Sequence, residues 1–278
     1  YYDASADEVL PISEGYTFAT NDSQGNVNTP IELNAGAVTL SIEIGAGWNW
    51  ISLNALGEDM STDNVLGSLT STPGDFLKTP SATSEYYEGF GWYGSVETMD
   101  VTGMYMLKSA NADNLTFSGA PVDPATTPIE LGVGWNWIGF TPQYDGLTED
   151  ALASIITDDG DFLKTPGGTS EYYSGFGWYG SLEAMVPTQG YMLKVGTAST
   201  LIYPNFGPDA YVSDGLSRSD ERPVLISNWD VDYHDYEFNG HITMSIDSRE
   251  DSHGDYIAAF VGDECRGLAE RMYFPFGD

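Results

Sequence analysis

The chain has 278 residues, 41% of them hydrophobic, and carries 42 acidic against 9 basic side chains, for a formal net charge of −33. This length is enough for two or three domains with real cores, and so acidic a surface argues against nucleic acid as a partner. No apolar run reaches the ~18 residues needed to cross a bilayer, so the sequence predicts no membrane span.

Residues 1–36 open directly on two aromatic side chains, Tyr1 and Tyr2, with no initiator methionine and no secretory leader. Together with the unpartnered apolar strand at the other end, this makes us expect a chain that is cut at both ends. Further on, Tyr16 and Phe18 alternate with smaller residues, which is the pattern of a strand with one apolar face.

An internal repeat organises the middle of the chain, and a period this long indicates whole domains. The repeated segments lie 86 to 87 residues apart: GWNWISLN at 47–54 and GWNWIGFT at 134–141, GDFLKTP at 74–80 and 160–166, SEYYEGFGWYGS at 84–95 and SEYYSGFGWYGS at 170–181. The sequence thus predicts two tandem copies of one domain, repeat 1 at 37–122 and repeat 2 at 123–207.

Within each copy, short runs of β-branched and aromatic residues alternate with turn-forming clusters, so we predict strands. One short helix is predicted per copy, with Thr62 and Thr148 as the capping residues. In GWNWI, the period of two places Trp48 and Trp50 on one face of a strand and the intervening Asn49 on the other.

Two features of the repeats are candidates for function. Dense aromatic clusters either form a platform for sugar rings or fill small β-domain cores; the platform residues would be Tyr86, Trp92, Tyr172 and Trp178. All lysines of the chain fall at equivalent repeat positions, namely Lys78, Lys108, Lys164 and Lys194. This placement predicts fixed structural ion pairs, and Glu85 and Glu171 are the expected mates.

The last segment, 208–278, has no counterpart in the repeats. FNGHITMSID alternates like a strand, and GDYIAAFVGDECRG predicts two strands joined by a tight turn at Gly262 and Asp263. Tyr273 and Phe274 then enter a strand that has no partner before the sequence stops. The single cysteine, Cys265, rules out a disulfide framework and fits either a buried thiol or a reactive one.

Acidic stretches in this segment are candidates for calcium ligation, although none matches the twelve-residue EF-hand loop. The candidate ligands are Asp230, Asp232, Asp247 and Asp255. A solvated acidic loop is the alternative, and no cofactor is required.

The GDECRG stretch resembles a module of large secreted bacterial surface proteins, many of them exported by the type IX pathway, with the signature GD-x-(I/L)-A-A-F-V-G-(D/E)-E-C-R-G. The matching residues are Asp255, Ala258, Ala259, Phe260, Gly262, Glu264, Cys265, Arg266 and Gly267. The tandem GWNWI…GYMLK domains are companions of that module. The resemblance implies that closing strands like YYDAS follow the signature, and this chain carries them at its beginning.

The resemblance implies a permuted domain, which closes within one chain or is completed by a neighbouring molecule, unless the chain is one period of a longer repetitive chain. For the second case, the expected assembly residues are Tyr1, Tyr2, Tyr16, Phe18, Ile257, Phe260, Tyr273 and Phe274. An incomplete sheet gains a strand by β-augmentation, and a head-to-tail contact that does not close makes a filament.

We therefore predict an all-β, extracellular, non-enzymatic protomer of a bacterial fibre or surface array, whose partner is itself. No catalytic order of Ser, His and Asp and no HExxH pair accompanies the three histidines. The alternative is a carbohydrate-binding adhesin module. Two sequons, at Asn21 and Asn114, predict N-linked glycans.

Overall fold

The computed structural model describes residues 36–207, 231–240 and 256–270, together with the backbone pairing of two short strands near the N-terminus. Those two, β1 (Tyr2–Asp3) and β2 (Glu8–Val9), form an antiparallel pair. The described chain consists of antiparallel sheets with two single-turn α-helices, so the all-β prediction is confirmed.

Repeat 1 is built from two sheets that enclose one apolar core. Its elements are β3 (Val38–Ile44), β4 (Gly47–Ile51), β5 (Ala55–Leu56), α1 (Thr62–Val65), β6 (Phe76–Lys78), β7 (Thr83–Tyr87), β8 (Gly91–Gly94), β9 (Tyr105–Ser109) and β10 (Asp113–Pro121). Five strands form one sheet in the order β4-β9-β6-β7-β8, and three form the other in the order β3-β10-β5. Leu53, Leu77, Leu107 and Leu115 are fully buried between them.

Repeat 2 has the same main sheet, in the order β12-β18-β14-β15-β16. Its elements are β11 (Ile129–Leu131), β12 (Gly134–Ile138), β13 (Gly146–Leu147), α2 (Thr148–Ala151), β14 (Phe162–Lys164), β15 (Thr169–Tyr173), β16 (Gly177–Gly180), β17 (Ala184–Met185), β18 (Tyr191–Val195) and β19 (Ser199–Leu201). The predicted equivalence of the two GWNWI segments is confirmed, because Trp48 and Trp135 are each the second residue of the edge strand of a sheet with this order.

The asparagine of each GWNWI motif fastens the turn that leads into its strand. The Asn49 side chain accepts a hydrogen bond from the Gly45 amide at 2.8 Å and donates to the Gly45 carbonyl at 2.8 Å. Asn136 makes the same two bonds with Gly132, at 2.9 and 2.8 Å. The motif is therefore a structural signature of the fold, and each asparagine satisfies backbone groups that the tight turn leaves unpaired.

Both predicted helices exist, but the predicted caps are wrong. Ser61 caps α1 by accepting a hydrogen bond from the Asn64 amide at 3.4 Å, and α2 begins after Leu147 without a side-chain cap. Thr62 and Thr148 lie one position inside the helices, where they are buried and donate hydrogen bonds to carbonyls of the loop after β8 or β16. The two hydroxyls that were expected to cap the helices thus form tertiary hydrogen bonds instead.

The two repeats meet through a contact that exchanges equivalent residues. Ile51 of β4 forms a bridge with Gln189, and Ile138 of β12 forms the matching bridge with Gly103. Next to these bridges, one amide of each repeat donates to a threonine carbonyl of the other: Ser52 to Thr188 and Gly139 to Thr102, both at 2.8 Å. Because each contact has its swapped counterpart, the repeats are related by an approximate two-fold axis, as in an isologous dimer.

An apolar layer, separate from the two repeat cores, lies at this contact. Trp50, Met104 and Met106 of repeat 1 are buried against Met192 of repeat 2, and Trp48 and Trp137 pack against them. Trp50 retains 4% of its exposure. Methionine suits such a contact because its flexible thioether fills irregular gaps beside aromatic rings. We call this set the inter-repeat layer.

The C-terminal part contributes a single 3₁₀ turn at Tyr233–Asp235 and a hairpin of β20 (Tyr256–Val261) with β21 (Glu264–Glu270). The hairpin turns at Gly262, which has a positive φ of 63° as a tight turn requires. This confirms the two predicted strands. Among the helices that the structure describes, none is long and apolar enough to cross a membrane.

Candidate functional site

The outer face of each main sheet, turned away from its repeat core, carries a row of alternating aromatic and charged residues. The strand register places side by side, in repeat 1, Trp48, Lys108, Phe76, Glu85 and Tyr93, and in repeat 2, Trp135, Lys194, Phe162, Glu171 and Tyr179. A second row contains Trp50, Met106 and Lys78, matched by Trp137, Met192 and Lys164. All four lysines therefore lie on this outer face.

The tryptophan rings of these rows make edge-to-face contacts with phenylalanine. Trp48 and Phe76 have ring centroids 6.4 Å apart at an interplanar angle of 86°, and Trp135 and Phe162 repeat this at 6.2 Å and 83°. Such a geometry matches the positive edge of one ring to the negative face of the other. The outer face is thus an ordered aromatic surface in both repeats.

Lysine ammonium groups lie over the tryptophan rings and reach across the two-fold axis. The Nζ of Lys78 lies 5.9 Å from the Trp137 ring, and the Nζ of Lys164 lies 5.8 Å from the Trp50 ring. Each lysine also lies over the first tryptophan of its own repeat, Lys78 over Trp48 at 5.7 Å and Lys164 over Trp135 at 5.1 Å. Cation–π contacts of this kind contribute roughly 0.5–2 kcal/mol each.

The predicted lysine pairing with Glu85 and Glu171 is wrong. In the described part of the chain, Glu85 accepts a hydrogen bond from the Tyr87 hydroxyl at 3.1 Å, and Glu171 accepts one from the Tyr173 hydroxyl at 3.0 Å. Partial burial and this glutamate raise the pKa of Tyr173 to about 12. Lys78 instead forms its ion pair with Glu237, far along the sequence.

Residues 231–240 cross the outer face, beginning at repeat 1. The Nδ1 atom of His234 lies 2.8 Å from the Trp48 carbonyl, at the free edge of β4. A Cβ built on Gly45 would lie 2.6 Å from the His234 ring, and one on Gly47 would lie 2.2 Å from the His234 carbonyl oxygen. Only glycine leaves room for this approach. We call Gly45, Gly47 and Trp48 the first cradle.

The same segment continues to repeat 2. Glu237 pairs with Lys78, and the Phe238 ring lies 4.8 Å from the same ammonium group. The Asn239 side chain then donates to the Thr165 carbonyl at 2.8 Å, while Lys164 donates to the Asn239 carbonyl at 3.3 Å. Desolvation at this contact lowers the pKa of Lys164. The segment therefore connects both repeats over the inter-repeat layer.

A tyrosine of this segment joins it to the C-terminal hairpin. The Tyr236 hydroxyl donates to the Glu264 carboxylate at 2.5 Å, and the Arg266 guanidinium lies 4.7 Å from the Tyr236 ring centroid. This hydrogen bond raises the pKa of Tyr236 and lowers the pKa of Glu264. The GDECRG signature thus supplies contacts to the segment that docks on the repeats.

Repeat 2 has the equivalent of the first cradle, and the described segment 231–240 does not fill it. A Cβ on Gly134 would meet nothing within 4 Å, and one on Gly132 would meet only the Asn136 side chain at 3.9 Å. Trp135 is 50% exposed and Val133 is 72% exposed. We call Gly132, Gly134 and Trp135 the second cradle.

The predicted sugar platform is arranged as edge-to-face pairs. Tyr86 and Trp92 have centroids 5.8 Å apart at 64°, and Tyr172 and Trp178 have centroids 5.6 Å apart at 63°. Trp92 and Trp178 pack against the core of their own repeat. This placement favours the core-filling alternative for these four residues.

The exposed aromatics of the hairpins are different residues. Phe90 is 87% exposed, Tyr93 is 78% exposed and Phe176 is 50% exposed. Tyr93 belongs to the outer row, whereas Phe90 and Phe176 lie in the turns of their hairpins. Spacing in the sequence alone does not separate such turn residues from the rings that face the core.

Other predicted site residues have definite positions. Asn114 lies exposed within β10 rather than in a loop, and it exchanges hydrogen bonds with the Ser41 hydroxyl. Asp232 caps the 3₁₀ turn by accepting a hydrogen bond from the His234 amide at 2.9 Å. Cys265 is half-buried, with its thiol 3.6 Å from the Gly267 carbonyl.

The hairpin positions predicted for assembly are partly described. Ile257 is half-buried and Phe260 is 43% exposed. Tyr2 lies in β1, and its side chain is outside the described residues. Wholly outside them are Tyr1, Tyr16, Phe18, Asn21, Asp230, Asp247, Asp255, Tyr273 and Phe274. Within the described ranges, no group of three or more His, Cys, Asp or Glu residues is arranged to hold a metal ion.

Comparison of the chain with protein-family models, with curated proteins and with solved structures gave no match. The outer face and its docked segment were not anticipated from the sequence. Two signals were present: the glycines two residues apart before each GWNWI tryptophan, and an acidic, aromatic stretch, DYHDYEF, whose charge is opposite to that of the lysines.

Proposed function

We propose that this chain is a structural protomer of an extracellular bacterial fibre or surface array. Its N-terminal strands would complete the C-terminal domain, 208–278, of the next molecule. The observation that carries the proposal is the β20–β21 hairpin: within the described residues its two strands pair only with each other. At its turn end, Val261 is 64% exposed and Phe260 is 43% exposed.

A two-stranded hairpin is marginally stable in water, and its open edges are templates for further strands. The repeats differ from it, because each has a five-stranded sheet and a buried core of its own. The N-terminal residues would supply a further strand to this hairpin, since the side chains of Tyr16 and Phe18 would be buried on one face of the added strand. A contact of this kind is head-to-tail and generates a filament.

The resemblance of the GDECRG segment to modules of secreted surface proteins supports an extracellular setting. In those modules the closing strands follow the signature, whereas here the similar stretch is at the start of the chain. Self-partnering restores the order of the module between neighbouring molecules.

Electron microscopy of the secreted protein tests this proposal. Filaments with a regular axial repeat are expected from the full chain, and deletion of residues 1–20 should abolish them while both repeats stay folded by circular dichroism. A double substitution, Tyr16→Asp with Phe18→Asp, should have the same effect. Thr17→Asp is the matched control, because its side chain would lie on the opposite face of the strand.

Filaments that persist after the deletion, or that are lost equally in the Thr17 control, would contradict strand complementation. Monodisperse particles from the full chain would contradict the fibre itself.

A carbohydrate-binding adhesin module is the second candidate, favoured by the exposed rings of Phe90 and Tyr93. Exposed aromatic side chains can stack on sugar rings, and Tyr93 lies in the row that also contains Glu85. Glycan-array binding that is lost in Tyr93→Ala and kept in Tyr86→Phe would support it. The absence of binding to any glycan would exclude it.

A further inference from the structure

The contact between the two repeats is symmetric in its backbone and asymmetric in its side chains. The backbone bridges and amide hydrogen bonds that join the repeats come in exchanged pairs. At equivalent positions of this contact, however, the two copies carry different residues: Ser52 against Gly139, Met104 against Gly190, and Gly103 against Gln189. The side chains therefore decide whether a repeat fits the other repeat better than it fits its own kind.

Met104 of repeat 1 fills space that repeat 2 provides by having a glycine. Met104 keeps 1% of its exposure and belongs to the inter-repeat layer. A Cβ built on Gly190 would lie 2.3 Å from the Met104 Cγ and 2.9 Å from the Ile51 carbonyl oxygen. The φ angle of Gly190 is not in the left-handed region. Space, rather than backbone conformation, is thus what requires glycine at this position.

Ser52 and Gly139 form a second pair of the same kind. A Cβ on Gly139 would lie 2.4 Å from the Val101 carbonyl oxygen and 3.3 Å from the Ser52 Cβ. The Ser52 hydroxyl accepts a hydrogen bond from the Phe140 amide at 3.2 Å and donates to the Gln189 carbonyl at 2.8 Å. Because repeat 2 has no hydroxyl at the equivalent position, these two bonds are made once rather than twice.

The approximate two-fold axis shows what the pairing of like repeats would require. Two copies of repeat 1 would place serine at the site of Gly139 and methionine at the site of Gly190, where even a Cβ overlaps backbone oxygens of the partner. Two copies of repeat 2 would leave the volume of Met104 empty and would lose both hydrogen bonds of Ser52. Only unlike repeats fill the contact without overlap.

We propose that the inter-repeat contact is selective: the surface of repeat 1 binds a repeat 2 surface and rejects a second repeat 1. A neighbouring molecule engages this surface only by offering its own repeat 2, that is, by exchanging domains. In an assembled fibre, where repeats of many molecules lie close together, this selectivity prevents cross-links between like repeats. The contact is separate from the chain ends on which the fibre proposal rests, so either proposal can fail alone.

Four full-length chains provide every combination of the two surfaces. The original chain pairs a repeat 1 surface with a repeat 2 surface. Gly139→Ser with Gly190→Met makes both surfaces like repeat 1, and Ser52→Gly with Met104→Gly makes both like repeat 2. All four substitutions together exchange the two surfaces. Comparison of the four chains separates the fit between the surfaces from the effect of each substitution, as in a double-mutant cycle.

Hydrogen exchange measures the contact separately from the folding of each repeat. The amides at positions 52 and 139 donate across the contact, whereas the central strands β9 and β18 pair within their own sheets. We expect both like-paired chains to lose about tenfold or more of the protection at 52 and 139, corrected for the changed side chains. The chain with exchanged surfaces should be about tenfold better protected there than either. Unchanged protection in β9 and β18 verifies that the repeats are folded.

A matched pair of single substitutions tests the glycine site by itself. Gly190→Ala adds a Cβ against Met104 and should lower the protection at positions 52 and 139 by about fivefold or more. Gly103→Ala adds a Cβ in the same contact, at a place where the described residues leave 4 Å of space around it. This control should leave the protection unchanged.

Three results would overturn the proposal. The first is full protection in the chain with two repeat 1 surfaces, because like repeats would then fit each other. The second is a chain with exchanged surfaces that is no better protected than the like-paired chains, because the substituted residues would then act separately. The third is an equal loss in Gly190→Ala and Gly103→Ala, because the loss would then not come from the space that Met104 occupies.

Discussion

Repeat 1 and repeat 2 share one scaffold, yet the described segment 231–240 fills only the first of their two equivalent cradles. The strand order and register are the same in the two main sheets. The difference comes from residues 231–240, which have no repeat of their own and dock on the first cradle. The two copies of this surface therefore differ in the contacts that the described segment 231–240 makes with them.

The cores of the two repeats also differ. At equivalent positions repeat 1 has Leu53 and Phe117, whereas repeat 2 has Phe140 and Tyr203. The Phe140 and Tyr203 rings are 5.1 Å apart at 73°, and the Tyr203 hydroxyl donates to the Gly139 carbonyl at 3.0 Å. The same sheet thus tolerates two different packings of its core.

The largest effect is expected from Trp50→Ala, which opens the inter-repeat layer. Trp50 is buried against methionines of both repeats, so its removal should cost about 3–5 kcal/mol in the free energy of unfolding. Urea unfolding measures the loss. Trp137→Ala, at the equivalent but only partly buried position, should cost less. Equal losses would show that the layer is shared symmetrically after all.

The next prediction uses Tyr203, whose buried hydroxyl distinguishes the core of repeat 2. Tyr203→Phe removes the hydrogen bond to the Gly139 carbonyl and should cost about 1–3 kcal/mol at neutral pH. Phe117→Tyr in repeat 1 is the reciprocal variant, and it should destabilise because no partner was built for its hydroxyl. A stabilising Phe117→Tyr substitution would contradict this difference between the cores.

Stability at alkaline pH is a second test of the difference between the two repeat cores. Burial raises the pKa of Tyr203 well above its ordinary value, so the phenol stays neutral in the fold while the unfolded chain ionises above pH ~10. Its contribution to stability is full below that pH and is lost as the pH rises. Wild-type protein should therefore lose stability above pH ~10 more steeply than Tyr203→Phe. Parallel unfolding curves for the two proteins against pH would refute this.

The two cradles predict unequal effects of removing their tryptophans. Trp48 is half-buried, so Trp48→Ala should cost about 2 kcal/mol, whereas the same change at the half-exposed Trp135 should cost about 1 kcal/mol. Hydrogen exchange at residues 231–240 should accelerate only in the Trp48 variant. Equal acceleration in both variants would mean that the segment does not depend on the first cradle.

The smallest effect is expected from Glu237→Gln, which removes the charge paired with Lys78. The two side chains keep 19% and 35% of their exposure, so solvent screening limits the loss to under about 1 kcal/mol. The loss should shrink further as salt is added. Glu85→Gln, whose partner is a tyrosine, should show no such salt dependence. A salt-independent loss at Glu237 would point to packing rather than charge.

Much of the scaffold was predictable because it depends on local patterns. The period of two in GWNWI correctly placed Trp48 and Trp50 opposite Asn49, since side-chain alternation is a property of any strand. The repeat correctly predicted two equivalent sheets. The helix caps were missed because Ser61 and Thr62 are both acceptable capping residues, and only the tertiary contact of Thr62 decides between them.

The candidate site was not predictable, because it depends on contacts between distant parts of the chain. Glu85 is next to Phe76 in the sheet register, and Lys78 is next to Thr83, so the expected ion pair is out of register. The true partner of Lys78, Glu237, lies beyond both repeats. No pattern within one strand predicts this ion pair. The sequence signal for it is the opposite charge of the repeat lysines and the acidic stretch DYHDYEF.

The approximate two-fold axis between the repeats has a consequence for how such domains are counted. A repeat taken alone would expose the surface formed by Trp50, Met104 and Met106, and it would satisfy that surface by pairing with a copy of the other repeat. The building unit is therefore a pair of repeats, because only the pair buries this surface. In longer chains built from this domain, we expect an even number of copies, because an unpaired copy would leave its apolar surface exposed to solvent.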